Sequence, residues 1–156
     1  MTGVLYFAYG SNLCGSRLTS RVPAAEFVGL GRLANHELRF HKRGRDGTAK
    51  ADAHAVPGAV MWGALAELGP GGIDLLDPFE PGYDRHELAI ETERGQESAW
   101  VYRARADVIE STLLPQSWYL AHVVDGGQAR GLPREYVAQV AATPSVPGMP
   151  RSISEC

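Results

Sequence analysis

Two stretches of the sequence carry groups that could do chemistry, and the first begins as a buried strand. Residues 4–9 read VLYFAY, a nearly unbroken apolar run that is typical of a strand buried on both faces. The run breaks at Gly10, Ser11 and Asn12, after which residues 14–18 could form a short helix. A strand that turns into a helix leaves several backbone N–H groups directed at one point. That arrangement favours binding of a carboxylate or an oxyanion.

The second stretch, residues 73–80, ends in the one carboxylate that the sequence singles out. It reads IDLLDPFE and predicts a short helical segment in which Ile73, Leu76 and Glu80 share a face. A carboxylate between an aromatic residue and a proline loses part of its hydration. Desolvation raises the pKa of a carboxyl group toward the range in which it both accepts and donates protons. Glu80 is therefore the candidate general acid–base.

Other chemistries find weaker support in the residue types. Residues 10–14, GSNLC, lack the second glycine of a hydrolase nucleophile elbow, and no phosphate-binding Gly-Lys-Ser/Thr occurs. Cys14 has no distinctive local signature, so a small packed thiol is the favoured interpretation. The five histidines have no HxxxH or HxH spacing and are interpreted as ordinary polar residues. The residue types therefore favour neither a metal site nor a nucleotide-binding loop.

Composition limits the partners and the compartment. The 156 residues suit one domain, and a net charge of −3 implies no general attraction to nucleic acid or an anionic membrane. No apolar run is long enough for a membrane span, and no leader segment is recognised. Cys14 and Cys156 suggest neither a disulfide framework nor a zinc site, so a reducing, cytoplasmic location is expected. The sequence does not indicate the oligomeric state.

The order of the predicted elements, with strands first and helices last, is typical of an α+β fold. Predicted strands cover residues 25–30, 37–41, 51–56 and 60–68, with a turn at Pro57-Gly58, and residues 83–92 and 98–104 form a hairpin. Predicted helices cover residues 115–124 and 133–142 and are separated by Gly126-Gly127 and Gly131. The basic residues within 42–50 are interpreted as an exposed loop in preference to an anion-binding patch. The Pro-rich tail, residues 143–156, is expected to be extended or disordered.

Several of these segments resemble one family in order and spacing. Residues 6–13, YFAYGSNL, resemble the YGSN signature of the γ-glutamylcyclotransferases, and residues 76–80, LDPFE, resemble the segment that ends in their catalytic Glu. Residues 62–65, 115–119 and 131–136 resemble further segments of that family. The likeness extends from about residue 4 to residue 142. It implies a single domain over residues 1–142, built as a mixed β-sheet curled into a partial barrel with surrounding helices, and a separate tail over residues 143–156.

The resemblance also implies the reaction, the substrate and the site. A small γ-glutamyl compound would cyclise to 5-oxoproline without a cofactor, as its own α-amino group displaces an amine or amino acid. Glu80 would be the catalytic acid–base. The substrate-binding residues would be Tyr6, Phe7, Ala8, Tyr9, Gly10, Ser11 and Tyr119. Tyr119 could equally be a core aromatic beside Trp118. Pro81 departs from the family, which commonly has Gly after the catalytic Glu, and its fixed φ bears on the local geometry at Glu80.

Three alternatives stay open at this point. The leaving group could be a γ-linked amine or a natural product instead of an amino acid or glutathione fragment, with the same chemistry. The chain could instead hydrolyse γ-glutamyl amides to free glutamate. In a third, non-catalytic class, it could bind small carboxylates through the turn alone.

Overall fold

Five strands form the centre of the fold. In the computed structural model, which describes residues 5–148 and 156, β1 (Leu5–Ala8), β2 (Glu26–Arg43), β3 (Ala49–Glu67), β4 (Tyr83–Thr92) and β5 (Gly95–Ala104) close a barrel in the order β1-β3-β2-β4-β5. All neighbouring strands are antiparallel except β1 and β5, which run parallel with Tyr6 opposite Trp100. The α+β class and the curled mixed sheet are confirmed, and the barrel is closed rather than partial.

The β2–β3 pair is longer and more continuous than the pattern predicts. The sequence predicts two separate strands over residues 25–30 and 37–41 and a turn at Pro57-Gly58. Both predictions are wrong, because these residues lie inside two long strands that pair from Glu26 to Arg43. Register shifts absorb the irregular residues, with Asn35 at φ 61° and Gly58 at φ 85° opposite each other in the largest one. A β-bulge inserts extra residues without ending the ladder, so local turn chemistry here bends the strand pair instead of terminating it.

Helical segments cover the end of the barrel where β1 finishes. A 3-10 turn (Ser11–Leu13) leads into α1 (Gly15–Arg21), and α2 (Gly72–Leu76) continues as a second 3-10 turn (Asp77–Phe79). A third such turn (Ala106–Val108) is followed by α3 (Ser117–Arg130) and α4 (Arg134–Ala141). Within the described ranges, no helix has the length and apolarity that crossing a bilayer requires.

Helix α3 runs through the two glycines that were expected to end it. Gly126 lies against the backbone of the β1–α1 connection, where an added Cβ would be 2.4 Å from the Cys14 nitrogen. The helix ends only at Gly131, which adopts φ 84°. The glycine at position 126 therefore permits close packing of α3 on the connection and is not a helix terminator.

Phe7 of β1 is part of the core inside the barrel. Its side chain is fully buried, and it packs against Gly63 of β3, where an added Cβ would be 2.5 Å from Phe7 Cζ and 2.5 Å from the Ala8 carbonyl oxygen. The interior glycine of β3 thus marks a close backbone approach, as its position in a strand predicts. This packing fixes the end of β1, from which the functional turn projects.

Cys14 and Cys156 form a disulfide, which corrects the expectation of two unpaired cysteines. The bond joins the residue that precedes α1 to the last residue of the sequence, across a separation of 142 residues. Arg130 at the end of α3 also donates a hydrogen bond of 3.3 Å to the Cys156 carbonyl oxygen. Two cysteines so far apart carry no pairing signal in a sequence. The predicted tail otherwise falls partly outside the described residues, and the domain boundary at residue 142 stays a prediction.

The disulfide predicts a redox-dependent stability. We expect that Cys156→Ser, or treatment with a dithiol, lowers the free energy of unfolding by about 2–5 kcal/mol, because a cross-link over a long loop restricts the unfolded chain. Urea denaturation with and without reductant measures the change, and a 2-Da difference in intact mass between the two conditions reports the bond itself. The variant should be insensitive to reductant. Equal stability of the wild-type chain in both conditions would contradict the prediction.

Candidate active site

Two adjoining cavities lie at the end of β1. Around them meet α1, the 3-10 turn that follows α2, and the β2–β3 pair. The inner cavity has a volume of about 30 Å³ and the outer one about 380 Å³. Both are lined by Ser11, Glu80, Tyr83 and Tyr119, so the outer cavity leads toward the inner one. The inner cavity is completed by Tyr6, Tyr9, Gly10, Asn12, Ala51 and Tyr102. The two sequence stretches that carry reactive groups therefore meet in space.

The turn at the end of β1 lines this space with Gly10, Ser11 and Asn12 and begins a 3-10 helix. The N–H groups of Leu13 and Cys14 bond back to the carbonyl oxygens of Gly10 and Ser11, at 3.0 and 3.1 Å. The N–H groups that precede them in the 3-10 turn have no acceptor of their own within the turn, as at any helix start. Gly10 is packed tightly, since an added Cβ would be 3.1 Å from the Ala51 Cβ. The turn thus has the donors expected of an anion-binding site.

Glu80 is held at the boundary between the two cavities by residues of the turn and of α1. Its Oε1 accepts a hydrogen bond of 3.2 Å from Asn12 Nδ2 and lies 3.7 Å from Arg21 Nη1. The same Asn12 amide donates to Tyr6 Oη at 3.0 Å, and Asn12 Oδ1 accepts from Arg21 at 3.2 Å. The Asn12 side chain thus connects the turn to the carboxylate. Glu80 itself follows the helical segment, with φ −122° and ψ 53°.

Burial dominates the electrostatics of this carboxylate. The Glu80 side chain is 14% exposed, and removal from water raises its pKa to about 7. Arg21, Arg17, the Asn12 hydrogen bond and Lys42 all act in the opposite direction without cancelling the desolvation. A carboxyl group with this pKa is protonated about as often as not near neutral pH, so it suits a group that must first accept and then donate a proton.

Two tyrosines are oriented by one residue of β3. Tyr119 Oη accepts a hydrogen bond of 3.0 Å from the Ala51 N–H, and Tyr83 Oη donates to the Ala51 carbonyl oxygen. Burial raises the pKa of both phenols, so both remain neutral donors and acceptors. Tyr119 also contacts Trp118 edge to face. It is therefore a packed aromatic whose hydroxyl faces the cavities, and the two interpretations open in the sequence are compatible.

The predicted site residues do not all face the cavities. Tyr6, Tyr9, Gly10, Ser11, Glu80 and Tyr119 line them, but Phe7 and Ala8 do not. Both of these side chains are fully buried, because alternate residues of β1 point to opposite faces and Phe7 enters the barrel core. The prediction for this stretch concerns its backbone N–H groups, so for Phe7 and Ala8 substrate binding stays a prediction.

Sequence reasoning missed several residues that the fold adds. Asn12 and Arg21 were not predicted as site residues, although Asn12 lies inside the quoted YGSN signature. Tyr83 and Tyr102 come from the β4–β5 hairpin, and Tyr102 Oη donates to Asp77 Oδ1 at 2.6 Å beneath the Glu80 segment. A tyrosine in an alternating strand carries no signal that distinguishes a site residue from a core residue.

The histidines are less scattered in space than in sequence. His41 Nε2 lies 2.7 Å from Asp52 Oδ2, and His54 Nδ1 lies 3.9 Å from the same oxygen. Asp52 Oδ1 also accepts a hydrogen bond of 2.7 Å from the Ala104 N–H. The His41–Asp52 contact and the Asp52–Ala104 hydrogen bond therefore connect β2, β3 and β5 at the residue that follows Ala51. They support the part of β3 that orients the two tyrosines.

Comparison with known proteins yields one consistent family. The AIG2-like family model matches residues 60–140. The γ-glutamylcyclotransferase of Mus musculus is 30% identical over 149 residues, covering 88% of this chain and 77% of that protein, and the Bos taurus protein is 29% identical over 141 residues, covering 85% and 74%. A solved γ-glutamyl cyclotransferase structure superposes with a TM-score of 0.87 at 27% identity, covering 96% of this chain and 94% of that one. The chain therefore belongs to the AIG2-like, γ-glutamylcyclotransferase-like family.

Proposed function

We propose that the protein is a γ-glutamylcyclotransferase that converts a γ-glutamyl compound into 5-oxoproline and a free amine. The observation that carries the proposal is the placement of Glu80, a buried carboxyl group with a pKa near 7, 3.2 Å from Asn12 of the anion-binding turn. A carboxylate-binding module alone would not need a desolvated carboxyl group facing the same space. The family membership supports the same activity.

The reaction requires one nucleophile, which the substrate itself supplies. The α-amino nitrogen attacks the γ-carbonyl carbon, the new C–N bond closes a five-membered ring, and the original amide C–N bond breaks. Holding the γ-glutamyl chain folded back makes the attack intramolecular, and such geometry is equivalent to effective concentrations of about 10⁵–10⁸ M. The small inner cavity beside the turn suits this restraint.

Glu80 handles the proton in both halves of the reaction. As the carboxylate it removes a proton from the substrate's α-ammonium group, which frees the nitrogen lone pair for attack, and as the acid it donates a proton to the departing nitrogen. The backbone N–H groups of the turn at Gly10, Ser11 and Asn12 stabilise the oxyanion or hold the substrate carboxylate. Arg21 and Asn12 keep the Glu80 carboxyl oriented throughout. Ser11 accepts a hydrogen bond of 3.1 Å from Arg17 Nε and serves as a positioning residue.

The product identifies the reaction. Incubation with γ-glutamyl dipeptides in ¹⁸O-enriched water is expected to give 5-oxoproline without heavy oxygen, because no water attacks the carbonyl carbon. Mass spectrometry of the products separates this outcome from hydrolysis. Free glutamate carrying one ¹⁸O would replace the cyclotransferase proposal with the amidase alternative, and binding without either product would favour the non-catalytic module.

The acid limb of the pH profile tests the Glu80 assignment. Because the pKa of Glu80 is raised to about 7, the carboxylate form is lost as the pH falls through that value. We expect kcat/KM to decline about tenfold per pH unit below neutrality. Initial rates between pH 5 and 8 at constant ionic strength measure the limb. A profile that stays flat down to pH 5, as a carboxyl group with the ordinary glutamate pKa of about 4.3 would give, would contradict the assignment.

A further inference from the structure

The outer cavity is strongly basic, although the chain as a whole carries a net charge of −3. Its lining combines two acidic residues with five basic ones, which are Arg17, Arg21, Lys42, Arg45 and Lys50. The leaving part of a γ-glutamyl substrate whose scissile bond lies at Glu80 would occupy this space. The charges around it therefore bear on which leaving groups are accepted.

Both acidic residues of the cavity already have basic partners. Arg21 lies 3.7 Å from Glu80, and Lys50 Nζ lies 3.2 Å from Asp46 Oδ2. Asp46 is further held within its own loop by Thr48, whose N–H and hydroxyl donate to Oδ1 at 3.0 and 2.6 Å. Each acidic residue of the cavity therefore has a basic residue as its ion-pair partner.

Lys42 and Arg45 have no such partner. Among the described residues, neither side chain makes a hydrogen bond or an ion pair. Lys42 is only 5% exposed, and its ammonium lies 5.0 Å from the centre of the Tyr83 ring. It also packs on Gly82, two residues after Glu80, where an added Cβ would be 2.8 Å from Lys42 Cε. Desolvation, the largest effect, lowers the pKa of Lys42, while the charge of Glu80 opposes that shift.

Lys42 is a largely buried residue that forms no ion pair among the described residues, so a bound anion in the cavity would stabilise its charged form. Lys42 lies at the inner wall near Glu80, and Arg45 lies at the exposed β2–β3 turn that borders the same cavity. Two cations without partners, one deep and one at the rim, match a leaving group with two carboxylates. A cationic leaving group, such as a polyamine or a lysine side chain, would meet like charge at both positions.

We propose that the preferred leaving group is an acidic amino acid, with one carboxylate bound by Lys42 and the second by Arg45. The inference rests on the proposed cyclotransferase function and specifies its substrate class. It also revises the interpretation of residues 42–50: the segment is a loop at its tip, but its basic residues at positions 42 and 45 face the cavity. Charge, not size, would then select the leaving group.

The test compares γ-glutamyl-glutamate with the nearly isosteric γ-glutamyl-glutamine, and adds γ-glutamyl-lysine. For the wild-type chain we expect kcat/KM at least tenfold higher for the first than for the second, and lowest for the third. Lys42→Met and Arg45→Gln should each reduce the preference severalfold, chiefly through KM. Arg43→Gln is the matched control, since Arg43 pairs with Glu110 on the outside of the same hairpin at 3.2 Å, and it should leave the preference intact. A preference that persists in both Lys42→Met and Arg45→Gln overturns the inference, as does equal use of the glutamate and glutamine substrates.

A binding measurement separates this inference from the proposed function. Calorimetry on Glu80→Gln compares the affinities for γ-glutamyl-glutamate and γ-glutamyl-glutamine without requiring turnover. At least a tenfold difference, lost on adding Arg45→Gln to that variant and diminished by high salt, supports the anionic subsite. Equal affinities overturn it even if 5-oxoproline is formed. Absence of 5-oxoproline from every substrate, with selective binding retained, instead rejects the cyclotransferase function alone.

Discussion

Glu80→Gln is expected to reduce kcat by about 10³–10⁴-fold, because one side chain performs both proton transfers and general acid–base catalysis contributes up to about that factor. Glutamine keeps the shape and one oxygen for the Asn12 amide, which donates to Glu80 at 3.2 Å. Substrate affinity should therefore change little. Steady-state kinetics with 5-oxoproline detection measures kcat, and calorimetry measures binding. A variant that keeps the wild-type rate would exclude Glu80 as the catalytic group.

Two controls separate lost chemistry from lost structure. Glu87→Gln changes an exposed carboxylate of β4 and should leave kcat unchanged. Stability provides the second control. Because burial raises the pKa of Glu80 to about 7, the folded state must hold a desolvated carboxylate above that pH, at a cost that disappears as the pH falls. Thermal unfolding at pH 8 is therefore expected to give a Tm for Glu80→Gln no lower than that of the wild-type chain.

Gly126→Ala is expected to destabilise the protein by about 3 kcal/mol or more and to abolish activity. The added Cβ would lie 2.4 Å from the Cys14 nitrogen and 2.4 Å from the Leu13 carbonyl carbon. These are backbone atoms of the connection that follows the Gly10–Asn12 turn, so α3 or the turn must move. Thermal unfolding should show a Tm lower by about 10 °C, since 1 kcal/mol corresponds to roughly 2–4 °C at this chain length.

The neighbouring glycine supplies the matched control. An added Cβ at Gly127 would first meet Leu132 Cδ1 and Val137 Cγ2, both at 3.4 Å, which is ordinary side-chain contact. Gly127→Ala should thus be neutral or stabilising by up to about 1 kcal/mol, through helix propensity. Equal effects of the two substitutions would show that α3 does not depend on close approach at Gly126.

The consecutive glycines Gly126 and Gly127 also show where local sequence patterns give a wrong prediction. Two consecutive glycines in a sequence predict a break, because nothing local indicates that a second segment packs on them. The structure shows α3 continuing to Arg130 because its glycine face lies against the β1–α1 connection. The turn predicted at Pro57-Gly58 is wrong for the same reason: β3 pairs with β2 on both sides of this dipeptide, and a register shift absorbs the irregular residues as a bulge.

The disulfide illustrates the same limit for covalent structure. Cys14 and Cys156 are separated by 142 residues, and no local pattern relates them. Only the folding of the chain brings the last residue beside the start of α1. Disulfides persist mainly in oxidising compartments. The expected cytoplasmic location stays a prediction, and the redox measurement above bears on it.

The sequence by itself determined the two reactive stretches, the α+β class and the family, because strand alternation, the YGSN turn and the Glu80 segment are local patterns. The tertiary structure alone decided how the stretches combine. It brought Asn12 to 3.2 Å from Glu80 across 68 residues, buried the carboxylate so that its pKa rose to about 7, and placed the Lys42 ammonium in the same cavity, 5.0 Å from the centre of the Tyr83 ring. Desolvation and long-range contacts depend on what surrounds a residue in space, and a linear pattern does not contain that information.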